Sequence, residues 1–534
     1  MNNKKIVIFG AGIAGLSTAH YLINRGYDVE VIESLNVPGG LSRSERFNGD
    51  IPSEYSWRGF GPWYNNIFDL MKEIPMYLNG TKSNVYDSGL SKTGLDFNPI
   101  SDKTNKNKNI VSSMDRVKLL YLLIKSICAS NERSRNVYAY QNTYQELKKY
   151  LTPKGAHNLS WIFGPYIGSD ASRVSVHHTS NFFSKNMFPC NGKKFNEAWK
   201  VSSKPTNEAW FDPWTNYLKK KGVKFYFGHS LSKFEFNNKE ITKAIVDNNG
   251  TLYDLIADYY ILAINPYITQ QILQKTPELV LSDKQLQLFK PLTSDEPHIQ
   301  ISFYLAFDEK IVMLQGNKAI TLLDSEFDIT FYAQSQYFLQ NTSIGKGIKS
   351  LWSGTATLDS NPGELYNLPM KKLTKQQFIN EVLHQIYKSK ELNKIVMKTN
   401  GKPLKSYNIK IDVWHAWIFA KNKDNVTSVE PKWVNNSRNL KYQPTSKTSI
   451  KNLYLAGAHT KTSADLYSME AAVESGRRVA DYISKMNTVI LQKKPVLLQF
   501  IKNIDYVLYS INCANVVDVI LIIGIIFIIL YLIK

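Results

Sequence analysis

Cysteine is almost missing. The chain has three, Cys128, Cys190 and Cys513, among 534 residues. So few exclude a disulfide framework, a CxxC redox pair and a cysteine-rich zinc site, and they fit a reducing compartment. Histidines at metal-ligand spacing are missing as well: His177 and His178 are adjacent, with no HxH or HxxxH partner beside them. They read as a satisfied core pair or a solvated loop. Glycine (28) and proline (20) are too few for a collagenous or low-complexity chain. No HExxH, serine elbow or Walker A occurs, and the run Gly345-Lys346-Gly347 lacks P-loop spacing. No apolar leader with a cleavage site follows Met1, because the strand-like run Ile6–Phe9 begins at once. A globular part made in the cytosol is therefore expected.

Charge is not scarce. Lys and Arg number 65 against 45 Asp and Glu, a net +20. The lysines are scattered among abundant Asn, Ile and Tyr, and no RNP, zinc-finger or basic-zipper pattern accompanies them. No nucleic-acid partner is expected.

There is one long apolar run, Val516–Ile533 (VVDVILIIGIIFIILYLI), with Asp518 as its only charge. As a helix, these residues span about 27 Å, near the ~30 Å of a bilayer core. Lys485, Lys493, Lys494 and Lys502 precede it, and the positive-inside rule puts that side in the cytosol. The expectation is a single-pass tail anchor, residues 516–534, holding a cytosolic domain on a membrane. The preceding run, Pro495–Ile511, is apolar but broken by Lys502, Asn503 and Asp505. It reads either as a helix lying in the membrane interface or as one packed on the body.

The first 34 residues alternate strand, turn, helix and strand. Gly10-Ala11-Gly12-Ile13-Ala14-Gly15 fits GxGxxG between a strand and a helix. Such glycines permit a tight turn, close approach to a pyrophosphate and close helix–sheet packing, and the helix N-terminus offers N–H groups to phosphate. Glu33 ends the next strand, where an acid hydrogen-bonds an adenosine ribose. Further on, residues 78–110 read as a polar excursion ending in Asn and Lys. Residues 115–129, 142–150, 375–389 and 465–485 read as helices. Residues 223–264 read as strands with a hairpin at Asn248-Asn249-Gly250, and 298–308 and 319–332 as further strands.

Just past Glu33 comes Pro38-Gly39-Gly40-Leu41-Ser42-Arg43. This second glycine pair resembles the flavin-binding start of the FAD-dependent amine oxidase and phytoene desaturase superfamily. Near the other end, Asn452–Thr460 (NLYLAGAHT) and Tyr467–Gly476 (YSMEAAVESG) are similar to its closing motif. A weaker third likeness runs from Trp214 to Pro266. The resemblance implies FAD, with cofactor contacts at Gly10, Gly12, Ala14, Gly15, Glu33, Gly39, Gly40, Leu41, Ser42, Leu231, Gly457, Ala458, Ser468, Met469 and Ala472. Leu231 is at the position implied to meet adenine through its backbone. Ser468, Met469 and Ala472 are at positions implied to face the flavin. Two departures stand out. Ala458 replaces the usual acid beside the ribityl chain, with His459 or Thr460 as candidate substitutes, and Ala471 stands where glycine is usual.

The resemblance further implies hydride removal from a substrate C–H to flavin N5. Amine oxidases of the superfamily place a lysine on a strand near that atom. The best candidate strand, His298–Leu305, has none, and Lys310 lies beyond its end. Arg58, in the aromatic turn Trp57–Tyr64, and Trp414 and Trp417 are the substrate-side candidates.

The expected fold is α/β: a doubly wound Rossmann-like FAD domain from segments 1–65, 206–266 and 440–486. An α+β substrate domain (66–205 and 267–439) is inserted, followed by a basic amphipathic linker (487–515) and the transmembrane tail. The expected function is FAD-dependent oxidation of an apolar isoprenoid or lipid. An amine oxidase and a non-catalytic flavin-binding membrane protein are the alternatives, the last kept open by Ala458.

Overall fold

The computed structural model describes residues 4–533 apart from 79, 103–110, 169, 188–198, 291–298, 314–317, 422–424, 434–437, 439 and 493. Cys190, His298, Lys493, and residues 79 and 103–110 of the expected polar excursion lie outside these residues. The chain forms two compact units. The first comprises 1–102, 198–433 and 441–491; the second comprises 103–197, 434–440 and 492–534.

A five-stranded parallel sheet organises the first unit. Its spatial order is Leu453–Leu455, Tyr259–Leu262, Lys5–Phe9, Asp28–Glu33 and Lys224–Phe227. Both faces are covered, so Ile6-Val7-Ile8-Phe9 is apolar without alternation and buried throughout. The helices Ile13–Ile23 and Met469–Ser484 pack against one another through Ser17 and Thr18, whose hydroxyls donate to Val473 O and Gly476 O. Strands His229–Asn237, Glu240–Asn248 and Thr251–Leu255 form an antiparallel layer whose Leu231, Phe234, Ile241 and Val246 join Val7 and Phe9 in one core. Its expected hairpin is present: Asn248 pairs with Thr251, and Asn249 (φ 49°) and Gly250 (φ 91°) make the left-handed pair that a two-residue turn needs.

A six-stranded mixed sheet forms the rest of this unit. Its order is Ile409–Val413, Ile301–Phe307, Ser350–Ala356, Ile329–Tyr332, Lys318–Leu322 and Asp96–Ile100. Strand 301–307 is buried along its whole length, and its Phe303 and Leu305 belong to the same core as Phe378, Val382 and Ile386 of helix Lys375–Lys388.

The second unit is helical: Ser113–Cys128, Thr143–Tyr150, Pro153–Ile167, Val176–Met187, Val496–Ser510 and Val516–Ile533. Two expectations change here. Residues 487–515 are not a linker, because Val496–Ser510 is a helix docked by a buried carboxylate. Asp505 accepts from Ser130 N (2.7 Å), Arg133 Nε (3.0 and 3.1 Å) and Val516 N (3.0 Å). The other side of that helix is open, with Val496 and Phe500 exposed. Of the two readings of 495–511, packing on the body is the one observed.

The second change concerns the tail. Among the described residues no helix is long and apolar enough to cross a membrane. The first turn of helix Val516–Ile533 is tied to helix Ser113–Cys128. Asp518 pairs with Lys125 Nζ at 2.8 Å and accepts from Tyr121 Oη at 2.6 Å.

Candidate active site

The turns at the carboxyl ends of the parallel strands carry the glycine motifs. Gly10 N donates to Ile32 O (2.8 Å) and Gly39 N to Ala11 O (2.9 Å), so backbone bonds stitch the two glycine turns together. Gly39 has φ 112°, a conformation that glycine adopts readily. A Cβ on Gly15 would lie 1.9 Å from Gly10 O, so the helix can approach its own turn only without one. Gly12, Gly40, Leu41 and Ser42 are half-buried, whereas Ala11, Ile13 and Ala14 behind them are buried. The first helix has Gly12 as N-cap, with no side-chain cap and no acid in its first turn. Its leading N–H groups are thus left for an anion.

Glu33 is buried and already works on both turns. Its Oε2 accepts from Ala11 N (2.7 Å), and its Oε1 from Leu35 N (2.9 Å) and Ser34 Oγ (3.2 Å). Burial pushes its pKa up, and these donors pull it back. An ionised carboxylate has about four acceptor sites, so room remains for a ribose hydroxyl.

The closing motif meets the first one directly. A Cβ on Gly476 would lie 2.5 Å from Ala14 O and 2.7 Å from Ser17 Cβ. The helix begins at Met469 rather than 465, because Ser468 is its N-cap and accepts from Ala471 N at 3.2 Å. Ser468 and Met469 are half-buried, and Ala472 is buried. Ala471 is fully buried, so the fold accommodates its methyl group. Gly457 N donates to Ser475 Oγ (2.8 Å), tying the strand end to the helix. Leu231 is buried beside Val7, Phe9 and Ile32, next to a bulge in the pairing with Ile245-Val246.

Ala458 is half-buried beside Gly457. Of its two candidate substitutes, Thr460 is spent locally: its Oγ1 donates to Gly457 O at 2.9 Å. His459 packs against Phe289 and Trp433, and its Nε2 is buried with no hydrogen-bond partner. Burial pushes its pKa down to about 4, so the ring is neutral at pH 7.

Arg58 is buried. Its Nη2 donates to Leu41 O (2.5 Å) and its Nε to Ser42 O (3.3 Å), which places it behind the second glycine turn. The two tryptophans part company. Trp414 is 0% exposed, with Arg43 over its ring at 5.0 Å and its Nε1 donating to Glu430 Oε2 (3.3 Å). It is a clamp inside the core, not an exposed pocket wall, because the Arg43–Glu430 pair (2.6 Å) holds it. Trp417 stacks on Tyr55, with centroids 5.8 Å apart.

Several residues of this region carry no signal in the sequence. Lys432 Nζ donates to Gln300 Oε1 at 2.7 Å, so a lysine from a distant segment reaches the residue leading into strand 301–307. Glu470 accepts from Asn66 N, Asn66 Nδ2 and Ile67 N, capping helix Asn65–Glu73 from the closing motif. Glu54 is buried and accepts from Thr206 Oγ1 at 2.7 Å. The expected pair His177 and His178 is a satisfied one: their Nδ1 atoms bond Ser134 Oγ and Ser175 Oγ.

The uncapped helix, the stitched glycine turns and the remaining acceptor site of Glu33 fit a dinucleotide. The description NAD(P)-binding Rossmann-like domain matches residues 8–74. That of flavin containing amine oxidoreductase matches residues 208–484, more than half of the chain. The chain belongs to the flavin containing amine oxidoreductase family. This flavin oxidoreductase is an enzyme, and its cofactor is FAD. It is 23% identical over 512 residues to 15-cis-phytoene desaturase from an Oncidium hybrid cultivar, covering 90% of this chain and 77% of that protein. It is 28% identical to L-amino-acid oxidase from Daboia russelii over 169 residues, 31% of this chain and 30% of that one. A putrescine oxidase solved with putrescine shares the fold at a TM-score of 0.58 and 13% identity, covering 91% of this chain and 99% of that chain.

Proposed function

We propose that this oxidoreductase dehydrogenates an apolar substrate, an isoprenoid or a lipid, at a membrane. The observation that carries the reading is the similarity to a phytoene desaturase along 90% of the chain, where the amino-acid oxidase likeness covers 31%. Bound FAD supplies the acceptor for the hydride leaving a substrate C–H bond. The residues of the chain bind and orient. Glu33 and the first helix would hold the adenosine and phosphates, and the Ser468 turn would offer its N–H groups to the flavin. Tyr55 stacks on Trp417 within the buried core of the first unit.

An amine substrate is the second reading, favoured by Lys432 at Gln300, a lysine where the strand itself has none. Membrane attachment runs through the C-terminal helix, with the globular units on the cytosolic side. It is supported by the exposed apolar side chains of residues 520–532 and by Val496, Leu497 and Phe500.

Anaerobic mixing of the flavin-loaded protein with isoprenoids and with amines decides between substrates. Loss of the visible flavin absorbance with an isoprenoid is expected. Bleaching by amines alone overturns the desaturase reading.

A further inference from the structure

Helices Ser113–Cys128, Thr143–Tyr150, Pro153–Ile167 and Val176–Met187 of the second unit enclose a cavity of about 120 Å³. Its apolar walls include Leu122, Leu123, Leu147, Phe163 and Val176. The family descriptions match residues 8–74 and 208–484, so neither reaches these helices.

The serine and threonine hydroxyls of the lining are already bonded within the protein. Thr143 Oγ1 and Thr179 Oγ1 bond each other at 2.7 Å. Ser126 Oγ donates to Leu123 O (3.0 Å) and Ser180 Oγ to Val176 O (2.6 Å), each turned back onto its own helix. The charged groups of the lining are paired as well, Lys125 with Asp518 (2.8 Å) and Glu146 with Lys149. A water held in a cavity needs two to four polar partners. With these groups spent on one another, the interior favours hydrocarbon over water or a polar ligand.

Helix Ser113–Cys128 is apolar on two sides. Leu122 and Leu123 line the cavity, whereas Met114, Val117, Leu120 and Ile124, three or four residues apart, are exposed. Helix Val516–Ile533 is tied to this helix through Asp518 and Lys125 and exposes the apolar side chains of residues 520–532. Apolar surface of this extent marks an interaction site or a membrane face. A hydrocarbon chain reaching the cavity past such a surface stays out of water.

We propose that the helical unit holds the terminal carbons of one hydrocarbon chain, acyl or isoprenoid, in this cavity. A dry apolar cavity of about 150 Å³ admits benzene, so this one takes a chain end and leaves the rest of the molecule outside. The chain is bound and not altered. The inference goes beyond the flavin chemistry, and it rests on the membrane reading above for the source of the chain. Lys125 both lines the cavity and holds Asp518, so an occupied cavity braces the foot of helix Val516–Ile533.

Photolabelling of the full chain, loaded with flavin and kept in digitonin, is the test. The steroid of that detergent is too broad for the cavity. The two probes are a dodecanoic acid and a farnesol, each with a diazirine at the chain end, and adducts are mapped on peptides by mass spectrometry. Adducts on the cavity residues are expected with at least one probe. Val176→Phe fills the cavity and should lower them about tenfold, the change expected when about two methylenes are displaced. Adducts on the exposed residues 520–532 should persist in that variant. Cavity labelling by the dodecanoic acid alone assigns an acyl lipid, by the farnesol alone an isoprenoid, and by both a site that accepts either chain.

No cavity adduct with either probe overturns the inference, and so does cavity labelling that Val176→Phe leaves unchanged. If Val176→Phe does not fold, excess unlabelled dodecanoic acid or farnesol must suppress the cavity adducts of the wild type while sparing those on 520–532, or the inference fails. Vesicle flotation of the same protein tests the membrane reading separately. A chain that floats but gives no cavity adducts refutes the cavity site alone. One that is labelled in the cavity yet stays off vesicles refutes the membrane reading alone.

Discussion

Gly476 lies where helix Met469–Ser484 crosses helix Ile13–Ile23, and its replacement by alanine tests how the cofactor site is assembled. The added methyl would stand 2.5 Å from Ala14 O and 2.7 Å from Ser17 Cβ. Neither neighbour is the far end of a flexible side chain, so the helices must separate. Overpacking of this kind costs about 1–3 kcal/mol. Separation also weakens the bonds from Ser17 Oγ to Val473 O (3.1 Å) and from Thr18 Oγ1 to Gly476 O (3.4 Å). Each is worth about 0.5–1.5 kcal/mol. Against these stands about 1 kcal/mol gained by alanine over glycine in a helix. The net expectation is a loss of about 1–5 kcal/mol. FAD should bind at least about tenfold more weakly, because both helix starts move, and tenfold corresponds to 1.4 kcal/mol. Thermal melting of the apoprotein and FAD titration measure the two effects. Gly524→Ala is the control, since a methyl there meets nothing within 4 Å. A Gly476→Ala protein that melts and binds FAD like the wild type would refute the close crossing as the basis of the site.

Three further outcomes are expected. Gly12→Ala should fold normally but lose flavin, because the nearest protein atom to the new methyl is Gly40 Cα at 3.8 Å while the methyl intrudes on the phosphates; full flavin occupancy in the purified variant would count against that placement. Glu33→Ala should weaken FAD by about 1–3 kcal/mol, the scale of a lost bond to a charged group, and should lower the melting temperature by orphaning the Ala11 and Leu35 N–H groups; an unchanged dissociation constant argues against ribose contact. Deleting 519–534 keeps Asp518 on Lys125 and Tyr121, so the truncated protein should leave membranes in flotation assays yet keep its flavin; if it still floats with vesicles, attachment lies elsewhere.

The cofactor half of the site was legible in the residues because it is built from backbone. A turn that must approach its own helix or a phosphate admits only glycine, as the 1.9 Å approach at Gly15 shows. Glu33 is found by its distance from that turn, whereas the helix expected from 465 starts only at Met469, after the Ser468 cap. The hairpin at Asn249-Gly250 followed from its left-handed requirement. These are local constraints, and residue type alone expresses them.

Other contacts were decided only by tertiary structure. Lys432 and Gln300 stand 132 residues apart in sequence, and no spacing rule connects them. Trp414 has the composition of a pocket wall, but Arg43 and Glu430 converge on it and close it into the core. Hydropathy counts Asp518 and Asp505 as interruptions of apolar runs. In the fold they are the carboxylates that dock those helices, Asp518 on Lys125 and Asp505 on Arg133. A charge in an apolar stretch is costly until a partner neutralises it. Only the folded chain supplies that partner.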